Sequence, residues 1–177
     1  AGNTMNDVKD VNIDREAHPE RPLASGAIDI SSANKFVKIL WLLSITCLSI
    51  GAYSLYKSGN SIIELLLIYF VAVALMLTYD HGPELKSTGL KGNISISIMV
   101  GAVILYGASS VGNLSAALVW WTAGVVFFAN LAREIIKDCQ DMEADEGVRQ
   151  TLPMAYGLVK SRMLAYVIVM AALVCLL

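Results

Sequence analysis

The chain has 177 residues, is 56% hydrophobic and 16% charged, and carries 13 basic against 15 acidic residues. Near-balanced charge with no basic and aromatic pattern excludes a nucleic-acid binder. Charges confined to a few segments between long apolar runs exclude an ordinary soluble core and define an all-α, polytopic transmembrane bundle.

The first 35 residues are polar, too polar for a signal peptide or transit sequence, and hold Asn6, Asp7, Asp10 and Asp14 in NDVKDVNID. Apolar runs follow at 36–56, 61–79, 94–111, 114–131 and 163–177. The first four are long enough for a hydrocarbon core of ~30 Å at ~1.5 Å per residue, whereas the fifth stops short at Leu177. The chain opens on Ala1 and no span precedes its first acidic cluster, so it is expected to be one domain cut at both ends, with helices missing before Ala1 and after Leu177. Trp41 is expected in an interfacial belt, and Trp120 and Trp121 between helices. Gly101, Ala102, Gly107 and Ala108 suit close helix contacts. His18 and His81 lack a zinc spacing, and no disulfide is expected of Cys47, Cys139 and Cys175.

If each run crosses once, segments 1–35, 80–93 and 132–162 emerge on one side, and 57–60 and 112–113 on the other. With Lys38 counted at the end of its run nearest the first segment, twelve of the 13 basic residues share the first side and only Lys57 takes the second, which makes the first side cytoplasmic. All acids but Glu64 fall on that side too.

Two acidic clusters therefore meet one membrane face: Asp7, Asp10 and Asp14, and Asp138, Asp141 and Asp145. Both have the spacing DxxDxxxD, which on a helix puts three carboxylates on one face, where they repel without a cation. Hard divalent ions such as Mg²⁺ are held by one or two carboxylates together with a substrate phosphate. Glu134, one turn before Asp138, orients the second cluster, accepts a proton or pairs with Arg133 or Lys137. The segment from Tyr79 to Asn93 brings Lys86, Lys91 and two glycines, Gly89 and Gly92, to the same face, and Arg21 adds a planar fork; such groups bind phosphate. Lys35, Lys38, Lys160 and Arg162 read as positive-inside anchors.

The first cluster, Asn6-Asp7-Val-Lys-Asp10-Val-Asn-Ile-Asp14, and the second, Asp138-Cys-Gln-Asp141-Met-Glu-Ala-Asp145, resemble the paired motifs of the UbiA superfamily of intramembrane prenyltransferases. RPLASG at 21–26, LKSTGLKGN at 85–93, AREIIKD at 132–138 and TLPMAYG at 151–157 resemble its archaeal lipid branch. The resemblance covers essentially the whole chain. It departs in the longer stretch between Tyr79 and Lys86 and in Ala144, where glycine is usual.

The resemblance implies a bundle of nine helices around a polar cavity that opens to the cytoplasm. It also implies two Mg²⁺ ions, held by Asn6, Asp7, Asp10 and Asp14 and by Asp138, Asp141 and Asp145. Asn6, Arg21, Lys86, Lys91, Asn93 and Lys137 would bind substrate, and Tyr79 would lie near the cleaving bond. Asp7, Asp10, Asp138 and Asp141, with Tyr79, would carry catalysis. The implied reaction moves a geranylgeranyl group from its diphosphate to the free hydroxyl of geranylgeranylglyceryl phosphate, through a carbocation-like transition state, in archaeal ether-lipid synthesis. The implied partners are an isoprenyl diphosphate, a lipid acceptor and membrane lipid. An aromatic or chlorin acceptor in the same superfamily is the alternative. A divalent-cation transporter is the alternative from another class, and it would place carboxylates at mid-membrane depth.

Overall fold

The computed structural model describes residues 1–80, 85, 88–143, 147 and 150–176, with the side chains of Ala17 and Asp80 left aside. Seven helices run through the described residues: α1 Gly2–Ala17, α2 Ile30–Lys57, α3 Ile63–Asp80, α4 Leu90–Ser109, α5 Ala117–Gln140, α6 Leu152–Tyr156 and α7 Leu158–Val174. They divide into two compact units, residues 1–54 and 55–177. By length and composition α2, α4 and α5 can each cross a membrane, and 63–79 forms a shorter apolar helix. The apolar run expected at 163–177 lies mostly within α7, which is 17 residues long.

In the first unit, α1 is a polar helix with one apolar stripe. Val11 is buried with Leu23 and Ala33, and Val8 packs on this cluster. Between α1 and α2 the backbone winds through tight turns closed by Arg21 N–H to His18 O and Ser25 N–H to Arg21 O. Gly26 takes a φ of +79°, which its missing Cβ allows. Asp29 then starts α2. Its carboxylate accepts from the Ser32 N–H at 2.9 Å and the Ser32 hydroxyl at 2.7 Å, satisfying donors that a helix start leaves open. These bonds, the Ser32 hydroxyl foremost, hold the exposed Asp29 carboxyl below the usual aspartate range. Along α2, Phe36, Ile39, Leu42, Leu43, Ile45 and Ile50 are all exposed, as a surface that meets lipid requires.

In the second unit α5 is the central helix, flanked by α4 and α7, and α3 packs on α4. Leu131, Ala132 and Ile135 of α5 are buried with Leu152 and Ala165, and Ile94, Phe127 and Ile168 pack around them. The crossing of α4 and α5 is close because Gly101 has no side chain: a Cβ there would stand 3.2 Å from the Ala123 carbonyl oxygen. Gly107, expected to serve the same purpose, faces open space.

Two loop contacts fix which helix ends lie together. Gly112, at φ +69°, sits against the Asn60 side chain, so the loops at 58–62 and 110–116 share one end. Gly89, at φ +59°, sits against the backbone of Gln150 and Leu152, so the α4 start and the segment after α5 share the other. Within the second unit this is the pairing of loops, 57–60 with 112–113 and 80–93 with 132–162, that one crossing per apolar run predicts.

Two expectations are corrected. Trp120 and Trp121 do not pack between helices: both are about half exposed at the start of α5, and the Trp120 indole N–H donates to Leu114 O at 2.8 Å. The apolar run ends at Leu131, but the helix does not, because backbone hydrogen bonding continues through Arg133, Glu134 and Lys137 to Gln140.

Candidate functional site

The first acidic motif is helical throughout. Asn6, Asp7, Asp10 and Asp14 lie on α1, with Asn6, Asp7 and Asp10 half-buried and Asp14 buried. Asp14 is taken by Arg21, whose Nη1 donates to Oδ1 at 2.8 Å and to Oδ2 at 2.9 Å. Arg21 is thus bonded to the acidic motif, where the sequence reading assigns it to a substrate phosphate. Its guanidinium is held above the usual arginine range, chiefly by this bond to Asp14 and then by the nearby charges of Asp14, Asp7 and Glu20.

The second motif does not keep the geometry of the first. Asp138 lies in the last turn of α5, but Asp141 is the residue that ends the helix, at φ −91° and ψ 5°, and is exposed. The expectation of one shared helix face holds for the first motif and fails for the second. Asp145 and Lys86 lie outside the described residues.

One bond to Asp138 comes from α4. Asn93, buried in the first turn of that helix, donates its amide Nδ2 to Asp138 Oδ2 at 2.8 Å. An ionised carboxylate only accepts, so the amide presents its N–H side. One turn deeper the buried Ser97 hydroxyl donates to Asn93 O at 2.6 Å and accepts from Asn130 Nδ2 of α5 at 3.1 Å. Glu134, also buried, lies on α5 one turn from both Asn130 and Asp138, and accepts from Arg133 Nη1. Of the three roles open to Glu134, the one observed is the pairing with Arg133.

Tyr79 is half-buried in the last turn of α3, and Lys91 is exposed in the first turn of α4. Lys137 is exposed in the last turn of α5. Thr151 is buried, and its hydroxyl has no hydrogen-bond partner among the described residues. Sequence reasoning passed over Ser97, Asn130 and Thr151. The signal for the first two was a small polar residue inside an apolar run, which in a membrane helix tends to bond a neighbouring helix.

Among the described residues no three carboxylates, histidines or cysteines gather closely enough to hold an ion alone. Mg²⁺ does not demand that, since it keeps waters and takes one or two carboxylates plus phosphate oxygens. The oxygen donors on α1 and at the end of α5 suit that hard ion.

The whole chain, residues 1–177, matches the model of the UbiA prenyltransferase family, and the chain belongs to that family. Among curated proteins it is similar to digeranylgeranylglyceryl phosphate synthase of Methanopyrus kandleri, 34% identical over 157 residues, 88% of this chain and 53% of that protein. It is likewise similar to the synthase of Pyrococcus furiosus, 34% identical over 165 residues, 93% of this chain and 54% of that protein. A solved structure whose description concerns digeranylgeranylglyceryl phosphate synthase in membranes superposes with a TM-score of 0.71 at 30% identity, covering 98% of this chain and 57% of that one. The chain spans about half the length of the curated relatives it matches.

Proposed function

We propose that the protein carrying this chain is a Mg²⁺-dependent intramembrane prenyltransferase that transfers a geranylgeranyl group from geranylgeranyl diphosphate to the free hydroxyl of geranylgeranylglyceryl phosphate. The observation that carries this reading is the likeness, at about one-third identity over most of the chain, to archaeal proteins named for making digeranylgeranylglyceryl phosphate. The geometry supports it: an acidic motif terminates a membrane-length helix beside the lysine- and glycine-bearing start of α4.

In this reading Asn6, Asp7, Asp10 and Asp14, and Asp138, Asp141 and Asp145, hold two ions on the cytoplasmic face of the cell membrane. Bound there, Mg²⁺ supplies positive charge to the departing diphosphate. Lys86, Lys91 and Lys137 attract the diphosphate as point charges, and Asn93 bonds to the carboxylate of Asp138. Arg21 fixes the buried Asp14 carboxylate through hydrogen bonds to both of its oxygens. Tyr79, at the end of α3, borders the allylic carbon, and the apolar helices keep water from the cation until the acceptor hydroxyl attacks it.

The test is a choice of acceptor. Full-length protein in detergent, given radiolabelled geranylgeranyl diphosphate and Mg²⁺, should label geranylgeranylglyceryl phosphate and leave aromatic and chlorin acceptors unlabelled. Label moving to an aromatic or chlorin acceptor instead would move the reading to another branch of the family. No transfer to any acceptor would end the enzyme reading.

A further inference from the structure

Four side chains tie α4 to α5 on one line. Asn93 and Ser97 are one turn apart on α4, and Asn130 and Asp138 are two turns apart on α5. Two bonds cross between the helices, from the Asn130 amide to the Ser97 hydroxyl and from the Asn93 side-chain amide to Asp138, and within α4 the Ser97 hydroxyl donates to the Asn93 backbone carbonyl. Ser97 is fully buried and Asn93 is 7% exposed, so each bond is made where an unpaired polar group is costly. In a span surrounded by lipid the apolar contacts alone set the sliding register of two helices weakly, and polar rungs set it sharply.

We propose that Asn93 is the positioning residue of Asp138, and that the rung from Ser97 to Asn130 fixes against α5 the turn of α4 that carries Asn93. A carboxylate at a helix end rotates about its χ angles, and a metal or a metal-bound diphosphate would have to stop that rotation. The Asn93 amide restrains it beforehand by bonding one oxygen, and a carboxylate has about four acceptor sites, so this bond by itself does not exhaust it. Hydrogen bonds of this outer kind tune the affinity of the ligands they hold. The role assigned to Asn93 is therefore different from direct contact with substrate, and it rests on the proposed use of Asp138 toward a divalent ion.

The test uses the full-length protein in detergent with Mn²⁺ as the probe ion, its free concentration read by electron paramagnetic resonance, with and without inorganic diphosphate. Asn93→Ala is expected to weaken Mn²⁺ binding about 10–100-fold. Asn93→Ser, whose hydroxyl still donates, should recover part of the loss, and Asn130→Ala, one rung away, should lose less than Asn93→Ala. Thermal unfolding should fall by similar modest amounts in Asn93→Ala and Asn130→Ala, since each leaves a bonded partner unpaired, so a larger loss of Mn²⁺ affinity in Asn93→Ala reports positioning and not stability; the KM for geranylgeranyl diphosphate at saturating metal should stay near wild type. Wild-type Mn²⁺ affinity in Asn93→Ala, or a raised KM for the diphosphate with Mn²⁺ affinity unchanged, would overturn the proposal. Should Asn93→Ala fail to fold, unchanged Mn²⁺ affinity in Asn130→Ala would overturn the part played by the rung. Loss of Mn²⁺ affinity in Asn93→Ala without transfer to any acceptor would keep the positioning role and remove the reaction. Transfer with Asn93-independent Mn²⁺ binding would do the reverse, and no Mn²⁺ binding by wild type under either condition would overturn both.

Discussion

Asp7, Asp10 and Asp14 all lie on α1, and the partner of Asp14 is Arg21, seven residues on. Asp138 and Asp141 share the same sequence spacing, yet one is in the last turn of α5 and the other ends it, and Asp138 is held by Asn93, 45 residues away on another helix. The first motif is therefore organised by its own neighbourhood, and the second by the packing of α4 on α5. The comparison teaches that a motif's spacing records which chemical groups are required, while the backbone that presents them is decided by what lies beside it.

That contrast can be broken most sharply at two glycines. Gly89 has a φ of +59°, and a Cβ there would come within 2.8 Å of the Gln150 carbonyl oxygen, whereas Gly26 has a φ of +79° with nothing within 4 Å of its missing Cβ. Gly89→Ala meets both backbone strain and a backbone clash and is expected to cost about 2–4 kcal/mol. Gly26→Ala meets the strain alone and should cost about 1–2 kcal/mol. Thermal unfolding in detergent reads both; equal shifts would mean that the contact between the α4 start and the segment after α5 does not hold the second unit together.

A smaller effect is expected at Arg21. Its side chain is 43% exposed, so solvent screens the pair with Asp14, and Arg21→Ala should cost about 1 kcal/mol through the carboxylate it leaves buried. Faster proteolysis within 18–29, with cleavage elsewhere unchanged, is the local signature expected. A loss spread over the second unit as well would contradict the local organisation of the first motif.

The smallest effect belongs to Asp29. Its carboxyl is held below the ordinary aspartate range by Ser32, so its ionised form favours the folded start of α2. That contribution is present at neutral pH, above the ordinary range, and is lost as the pH falls through the depressed folded value. Asp29→Asn, which keeps an acceptor oxygen and carries no charge, should flatten this part of the acid dependence of unfolding by losing a little stability at neutral pH and little or none at low pH. An acid dependence identical to wild type would show that the cap contributes nothing through charge.

Much of this was legible in the residues. Spacing of three and four among Asp7, Asp10 and Asp14 gave a helix face, and α1 carries all three. Apolar runs located the bodies of α2 to α5, because hydropathy and span length are tied by the thickness of the bilayer. One crossing per apolar run grouped the loops that Gly89 and Gly112 bring to opposite ends. What stayed hidden depends on partners distant in sequence. Hydropathy does not show α5 past Leu131, and although the spacing of Glu134, Asp138 and Asp141 points to a helix there, it does not tell that the helix ends at Asp141 or that Arg133 and Asn93 bond to Glu134 and Asp138. The five-residue helix α6, with Pro153 in its first turn, is too short for any periodicity to declare it. Ser97 and Asn130 are ordinary small polar residues until α4 and α5 are laid together.

The most direct test of the proposed activity compares the two motifs in one assay. Full-length wild-type protein, Asp10→Ala and Asp141→Ala are given geranylgeranyl diphosphate and geranylgeranylglyceryl phosphate, with Mg²⁺ or with EDTA. The account predicts product with Mg²⁺, none with EDTA, and a fall of about 10²–10³-fold or more in each variant, the scale of losing one preorganised charge-stabilising group. Undiminished transfer in EDTA, or in both variants, would contradict it.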